Sequence, residues 1–450
     1  MSESEAVRGH AFPGDILMGA QSRLLPYHIP MRFFFAAALF QVLAWALLAA
    51  ASGEATSFIG GSGLPLAALH AMTLGVLAMT VIGASLQLLS VATGVALDSL
   101  FPCRLASWLF IPGTAILVAG MAAGDHLGMA LGGLLAIAGL AAWSIVLIEI
   151  LRRAPGLRVT VRHCWWALAA LALLAAIGAV LIIDLEHGVL GGELPGHGQL
   201  AALHAILGGF GFIGLLAMGF SYILVPMFAL STAPDEKAAN TALGLVLGAI
   251  ALGIAGALTD QSGSTATLLA AAAALLGLIG AALYIRLMLG ALRSGMKKRL
   301  GLSFVLVRAA WALLPLAVLL GGLAGAGIDG WNMPTLFGFV LIFGWLLTFV
   351  GGILQRVLPF LTSMHAHNLG QRPPRLSEMG RQKITLPLHA ACHASGLVLV
   401  AAGIAFDQSA LVSAGGAVGT IGALSFLWFA VEIVRLNRRT HADAQINDAN

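Results

Sequence analysis

"ALHAMTLGVLAMTVIGASLQLLSV", from Ala68 to Val91, decides the fold. After His70 it carries no charge for a membrane's width, since a transmembrane helix needs about 20 mainly apolar residues. A second stretch, "ALHAILGGFGFIGLLAMGFSYILVPM" from Ala202 to Met227, opens the same way with His204. Each places an imidazole about one turn inside the end of a helix otherwise made for lipid. The rest of the chain has the same character. It is 59% hydrophobic and 9% charged, with mean hydropathy +0.96, where a soluble domain carries about 25% charged residues. The reading is an all-α integral membrane protein, because a spanning chain must satisfy its backbone within helices.

Reading outward for apolar runs of that length predicts twelve spans, at 33–52, 66–92, 105–124, 127–151, 163–183, 199–230, 240–259, 265–291, 302–326, 333–364, 384–405 and 409–436. The Gly-rich segment near Gly321 leaves eleven or thirteen open. Residues 1–32 form a polar tail without the apolar core and cleavage site of a signal peptide. Residues 33–436 form one membrane domain, and 437–450 a disordered tail. Cys103, Cys164 and Cys392 make no CxxC pair, so neither a disulfide framework nor a zinc-thiolate site is expected. There is no phosphate-cradling loop, hydrolase elbow or paired-carboxylate set. The basic pI of 9.3 reflects loop placement and not nucleic acid as a partner.

With the N-terminus in the cytoplasm, the inner loops hold Arg104, "LRRAPGLRVTVR", Lys237, "RSGMKKR", "QRPPRLSEMGRQK" and "RLNRR". The outer loops hold Glu54, Asp125, Asp184, Glu186, Glu193, Asp260, Asp329 and Asp407, with no Lys or Arg. This obeys the positive-inside rule and predicts that both termini are cytoplasmic, in a bacterial inner membrane. Spans 2, 6 and 10 also share a marker. Gly83, Gly219 and Gly352 are each followed seven positions on by Ser90, Pro226 and Pro359. Four spans separate successive markers, which predicts three four-helix units, roughly 33–151, 163–291 and 302–436. Chance recurrence in Leu/Gly/Ala-rich helices is the competing explanation.

Depth sorts the thirteen histidines. His70, His126, His187, His197 and His204 lie near the outer face. His28, His163, His365, His367, His389 and His393 lie near the inner face. An imidazole inside a span is costly unless it pairs, faces a wet cavity or binds a metal. His70 and His204, at matching depth on the second helices of neighbouring units, would meet across a seam and ligate a heme iron or a copper. Interfacial histidines bonded to a carbonyl or water are the plain alternative. The inner cluster is denser. "PFLTSMHAHN" carries His365 and His367, and "LPLHAACHASG" carries His389 and His393 at i and i+4 on one helix face. A rim of snorkelling histidines is the alternative there.

Propionates of a b-type heme want cations. Arg356, Arg308 and Arg32 lie on the inner side, and the outer side has none. The outer series "DLEHGVLGGELPGHGQLAALH" suits a cation site or a proton entry better. Polar residues within spans are few: Ser85, Gln87, Ser221, Tyr222, Thr348 and Gln355. They read as a short relay or as helix glue. No Asp, Glu or Lys sits at a bilayer centre, which speaks against an ion-coupled transporter.

Twelve spans, both termini inside, three pseudo-repeated units and histidines on spans 2 and 6 resemble the catalytic subunit of the heme-copper oxidase superfamily, which includes nitric oxide reductases. "HAMTLGVLAMTVIGASLQLLSVATG", "LHAILGGFGFIGLLAMGFSYILVPMF" and "GGILQRVLPFLTSMHAH" are more similar to its divergent bacterial members, and loosely to the NnrS family of heme- and copper-binding membrane proteins tied to nitric oxide stress. The resemblance implies that His70 matches the span 2 ligand of a low-spin heme, and His204 the span of the first copper ligand. Span 7 has no histidine, and His365-Ala-His367 lies at the opposite face from the family's span 10 pair, so a complete oxygen-reducing centre is not expected. The expectation is a heme b, with copper as the alternative metal. His70 and His204 would bind toward the outside, His365 and His389 a second centre toward the inside, with His367 and His393 as alternates. Arg356 and Arg308 would face its propionates. Partners implied are the lipid bilayer, a quinol or small cytochrome, and other respiratory subunits. A copper or heme transporter or assembly factor, and a non-catalytic respiratory subunit, are the competing readings.

Overall fold

The computed structural model describes residues 23–191, 195–259, 263–328, 330–368 and 384–448, with the side chains of 367–368 and 437–448 left outside the description. The described residues are helical with no strand. Twelve helices are long and apolar enough to cross a membrane: α1 His28–Ala50, α2 Leu64–Thr93, α3 Phe101–Ala123, α4 His126–Arg153, α5 Arg158–His187, α6 His197–Ala229, α7 Glu236–Leu258, α8 Ser264–Ser294, α9 Leu302–Gly325, α10 Met333–Ala366, α11 Thr385–Ala405 and α12 Ser409–Leu436. The Gly-rich stretch at Gly321 lies within α9, so the count among the described residues is twelve. The protein is an all-α integral membrane protein.

Consecutive helices run antiparallel, so α1 begins and α12 ends at the same end, called proximal below. The described Lys and Arg residues lie in the proximal half or its loops, as in Arg104, Arg152, Arg158, Lys237 and Lys297. Trp108, Trp165, Trp166 and Trp428 are exposed about two turns from the proximal helix ends, where amphipathic rings favour the headgroup level.

Close approach of backbones sets the packing. Gly124, at the α3–α4 corner, has φ 66° and closes α3 in the left-handed conformation that side chains resist. The Asp125 carboxylate then caps α4 by accepting from Leu127 N (3.2 Å) and Gly128 N (3.1 Å). Along this hairpin the glycines leave no room for a side chain. A Cβ on Gly139 would stand 2.6 Å from Phe110 N, and one on Gly113 2.6 Å from Ala136 N. Such contact lets dispersion act between helices where lipid removes the hydrophobic drive.

The three marked helices share one scheme of contacts. Gly83 of α2 faces Phe34 of α1, Gly219 of α6 faces His163 of α5, and Gly352 of α10 faces Ser303 of α9. Two residues after the first two markers, Ser85 accepts from Trp143 Nε1 of α4 (2.9 Å) and Ser221 from Tyr284 OH of α8 (2.8 Å). The third marker has Leu354 there. α3 pairs with α4, α7 with α8, and α11 with α12, while α12 returns to lie along α1 through Gly416 and Ala49. α2, α6 and α10 touch one another inside that ring. In their most apolar stretches 83% of α2 and 89% of α10 are buried, against 17% for α5 and α7. The centre is therefore α2 and α10, with α6 beside them facing a thinner wall.

Each central helix also widens to π geometry, at Ala71–Ala78, Leu207–Gly214 and Val340–Leu346. All three π segments begin twelve residues before their marker glycine. π turns add a residue to the winding and accompany functional sites. Here they lie toward the distal end, where the helices stand apart.

Candidate functional site

The distal half of the bundle encloses a cavity of about 730 Å³ between the central helices and α4, α5, α7, α8 and α9. Small residues on the surrounding helices, such as Ala249 and Gly253 of α7 and Ala274 and Gly277 of α8, leave this space unfilled. Phe210 and Phe337 stack inside it with centroids 6.3 Å apart, and Trp345 lies 5.8 Å from Phe210. Among the described residues its lining includes no Lys or Arg.

α2 and α6 bring His70 and His204 together on the cavity wall, with ring centroids 6.3 Å apart and planes inclined at 34°. His70 donates Nδ1–H to the Leu66 carbonyl (3.1 Å), one turn back on its own helix. That bond fixes the tautomer and leaves Nε2 with its lone pair. His204 Nδ1 is buried and has no hydrogen-bond partner. The ring of His204 lies over Gly178 of α5, where a Cβ would stand 3.0 Å from Cε1. His70 stands six residues after the start of α2 and His204 seven after the start of α6, and the rings meet across the α2–α6 seam.

A third distal histidine has a carboxylate. His197, the first residue of α6, holds Nδ1 2.6 Å from Asp184 Oδ2 at the end of α5. Asp184 Oδ1 accepts Leu190 N–H at 2.7 Å. His197 and Gln199 both line the cavity mouth, and Gln199 ties back to Gly196 N (3.0 Å).

The proximal histidines form a different arrangement. His389 and His393 sit one turn apart on α11 with rings parallel, 6.0 Å apart and 11° inclined. Both are buried, at 2% and 3% exposure. Gln41 of α1 and Gln355 of α10 approach the two nitrogens of His389 at 3.5 and 3.4 Å. Thr348 of α10 pairs with His393 Nε2 at 2.7 Å. Trp45 packs edge-on against His393 and Phe426 against His389. These imidazoles are wedged between side chains and do not face the cavity.

His365 has other partners. Its Nδ1 meets Leu361 O (2.9 Å) and its Nε2 meets Leu25 O (2.8 Å), which ties the end of α10 to the segment entering α1. Both nitrogens face backbone carbonyls, so the partners of His365 in the structure are Leu361 and Leu25. The side chain of His367 lies outside the described residues. Arg356 donates Nε–H to Ser303 Oγ (2.8 Å) and Nη2–H to Leu300 O, fastening α10 to the start of α9. Nearby in the α8–α9 loop, burial and then the charge of Arg356 push the Lys297 ammonium below its ordinary range. Arg308 is exposed on α9. The hydrogen-bond partners of Arg356 are Ser303 and Leu300. Among the described residues no three His, Cys, Asp or Glu side chains gather as a metal cage.

Two participants escaped the sequence reading. Gln41 is the only polar residue in the apolar core of α1, and that isolation was its available signal. The Asp184–His197 contact crosses a loop whose course no periodicity predicts. Comparison with known proteins adds no relative: no family model matches the chain, and no curated protein matches its sequence.

Proposed function

We propose that the protein is a membrane-embedded redox metalloprotein in which His70 and His204 hold a heme iron, with copper as the alternative metal. The placement of the two rings carries this reading: they come from separate helices, meet 6.3 Å apart and stand on the wall of the cavity. The other features agree. His70 uses Nδ1 on a backbone carbonyl, the orientation that a ligating imidazole takes from its surroundings. The His204 ring rests against Gly178 of α5. The cavity volume lies in the range of cofactor sites. Bis-histidine heme supplies one-electron chemistry at a potential set by its surroundings.

The chain's own contribution is orientation and exclusion. Gly178 and the small residues of α7 and α8 make room. Phe210, Phe337 and Trp345 keep that room apolar. Gln199, whose Nε2 also donates to Thr259 O (3.3 Å), is an amide donor at the mouth for a carboxylate, and no Lys or Arg lines the cavity among the described residues. The wider reading has three four-helix units, supported by the shared glycine, serine and π-segment scheme. Its proximal end lies in the cytoplasm of a bacterial cell by the placement of the basic residues, and a quinol or small cytochrome serves as electron partner. This is the chemistry implied by the resemblance to heme-copper oxidases and the NnrS family.

The test is a reduced-minus-oxidised visible spectrum of the detergent-purified protein with metal analysis. A b-type band with one iron per chain is expected, absent in His70→Ala and in His204→Ala and retained in His365→Ala. A metal that survives both distal substitutions overturns the assignment.

A further inference from the structure

A second cavity, of about 390 Å³, opens between α8 and α9 and shares no lining residue with the distal one. Leu278, Ala282, Ile285 and Leu289 form an apolar stripe along α8, and Pro315 of α9 adds to it. Pro315 stands inside its helix, where it removes a backbone bond, and with Ala282 it offers little side chain to close the slot. Arg286 and Arg293 complete the lining. They are seven residues apart, which puts them on nearly one face of α8, and both are exposed. Arg308 is exposed on α9, seven residues before Pro315 and so on the same side of that helix.

These charges have no counterpart in the protein. From Ser264 to Gly325 the α8–α9 hairpin holds Arg286, Arg293, Lys297, Lys298, Arg299 and Arg308, with no Asp or Glu. Among the described residues the ion pairs are those of Arg153, His187 and His197. Arg286 lies eight residues before Ser294, the last of α8, or about 12 Å from the proximal helix end. That is the level of the exposed tryptophans, where headgroups begin. A guanidinium held there against lipid is costly unless it reaches a partner.

We propose that this slot binds one anionic phospholipid of the proximal leaflet, with its phosphate between Arg286 and Arg293 and an acyl chain laid along the stripe to Pro315. The guanidinium fork matches the paired oxygens of a phosphate, and basic pockets between transmembrane helices take such headgroups. Both halves of the lipid find a match, the charge below and the tail above. A soluble phosphate meets only the arginines. A zwitterionic lipid brings its own cation to them. The opposite faces of the same helices line the distal cavity through Gly277 and Ala281 of α8 and Leu314 and Val318 of α9, so the bound lipid backs one wall of that cavity. No metal or electron enters the proposal, which stands apart from the redox reading.

Native mass spectrometry decides it, on the full-length protein stripped of lipid in detergent and titrated with phosphatidylglycerol or phosphatidylcholine. Phosphatidylglycerol is expected to bind the more tightly, and an excess of inorganic phosphate to leave it in place. Arg286→Gln and Arg293→Gln are each expected to weaken phosphatidylglycerol binding about fivefold, and the double variant about 25-fold. Ala282→Trp keeps both charges, fills the slot and is expected to weaken binding too. Arg152→Gln, at the proximal end of α4, is expected to change nothing. Equal affinity for the two lipids in the unaltered protein overturns the proposal without any variant. So does displacement by inorganic phosphate, which would make the site one for a soluble anion. Unchanged affinity in the double variant or in Ala282→Trp, or an equal loss in Arg152→Gln, also overturns it. Thermal unfolding in detergent checks that each variant is folded.

Discussion

His70 with His204, and His389 with His393, are both pairs of imidazoles about 6 Å apart inside an apolar bundle. The distal pair comes from two helices and lines a cavity of about 730 Å³. The proximal pair comes from one helix and is pressed among Gln41, Gln355, Thr348, Trp45 and Phe426. The surroundings and not the spacing separate a place for a guest from a wall of the protein. An imidazole in hydrocarbon is tolerated for either reason.

The comparison breaks most visibly at the distal pair. His70→Ala or His204→Ala is expected to abolish the visible band and the bound iron while the chain still inserts. Retention of both metal and band in either variant would remove the distinction between the two pairs.

Gly178→Val tests whether room for the His204 ring matters, since even a Cβ there stands 3.0 Å from the imidazole. Cofactor affinity is expected to fall by about 10–100-fold, as when a group that orients a ligand is lost, with iron titration as the readout. An unchanged affinity would mean that the ring orientation seen here is not the binding one.

Gly139→Val probes a region that touches neither pair. The added side chain meets the Phe110 backbone, and overpacking of this kind costs about 1–3 kcal/mol. Thermal unfolding in detergent is expected at lower temperature, with the spectrum of the folded fraction unchanged.

His389→Phe sharpens the proximal side. It fills the volume but leaves Gln41 and Gln355 without their partner, at a cost of about 1–3 kcal/mol. The expected result is a small loss of thermal stability with full retention of the band. Loss of the band on that substitution alone would move the cofactor to the proximal end.

The spans were legible because bilayer thickness fixes helix length and composition reports it directly. The three marker glycines were legible as a pattern, and their contacts with Phe34, His163 and Ser303 give that pattern a steric cause. The meeting of His70 with His204 followed from their corresponding positions on spans four apart. His365 was legible as a polar residue at a helix end, but its partner Leu25 lies 340 positions away. Gln41 reaches His389 across 348 positions, a distance over which no local periodicity speaks.

Sequence alone determined that this chain is an all-α membrane protein and where its apolar runs and basic loops lie, since each follows from how many apolar residues stand in a row and where charges interrupt them. Only the tertiary structure decided which histidines face empty space and which face glutamine. That depends on the volumes left between helices far apart in the chain, and free volume is a property of packing that no single helix carries.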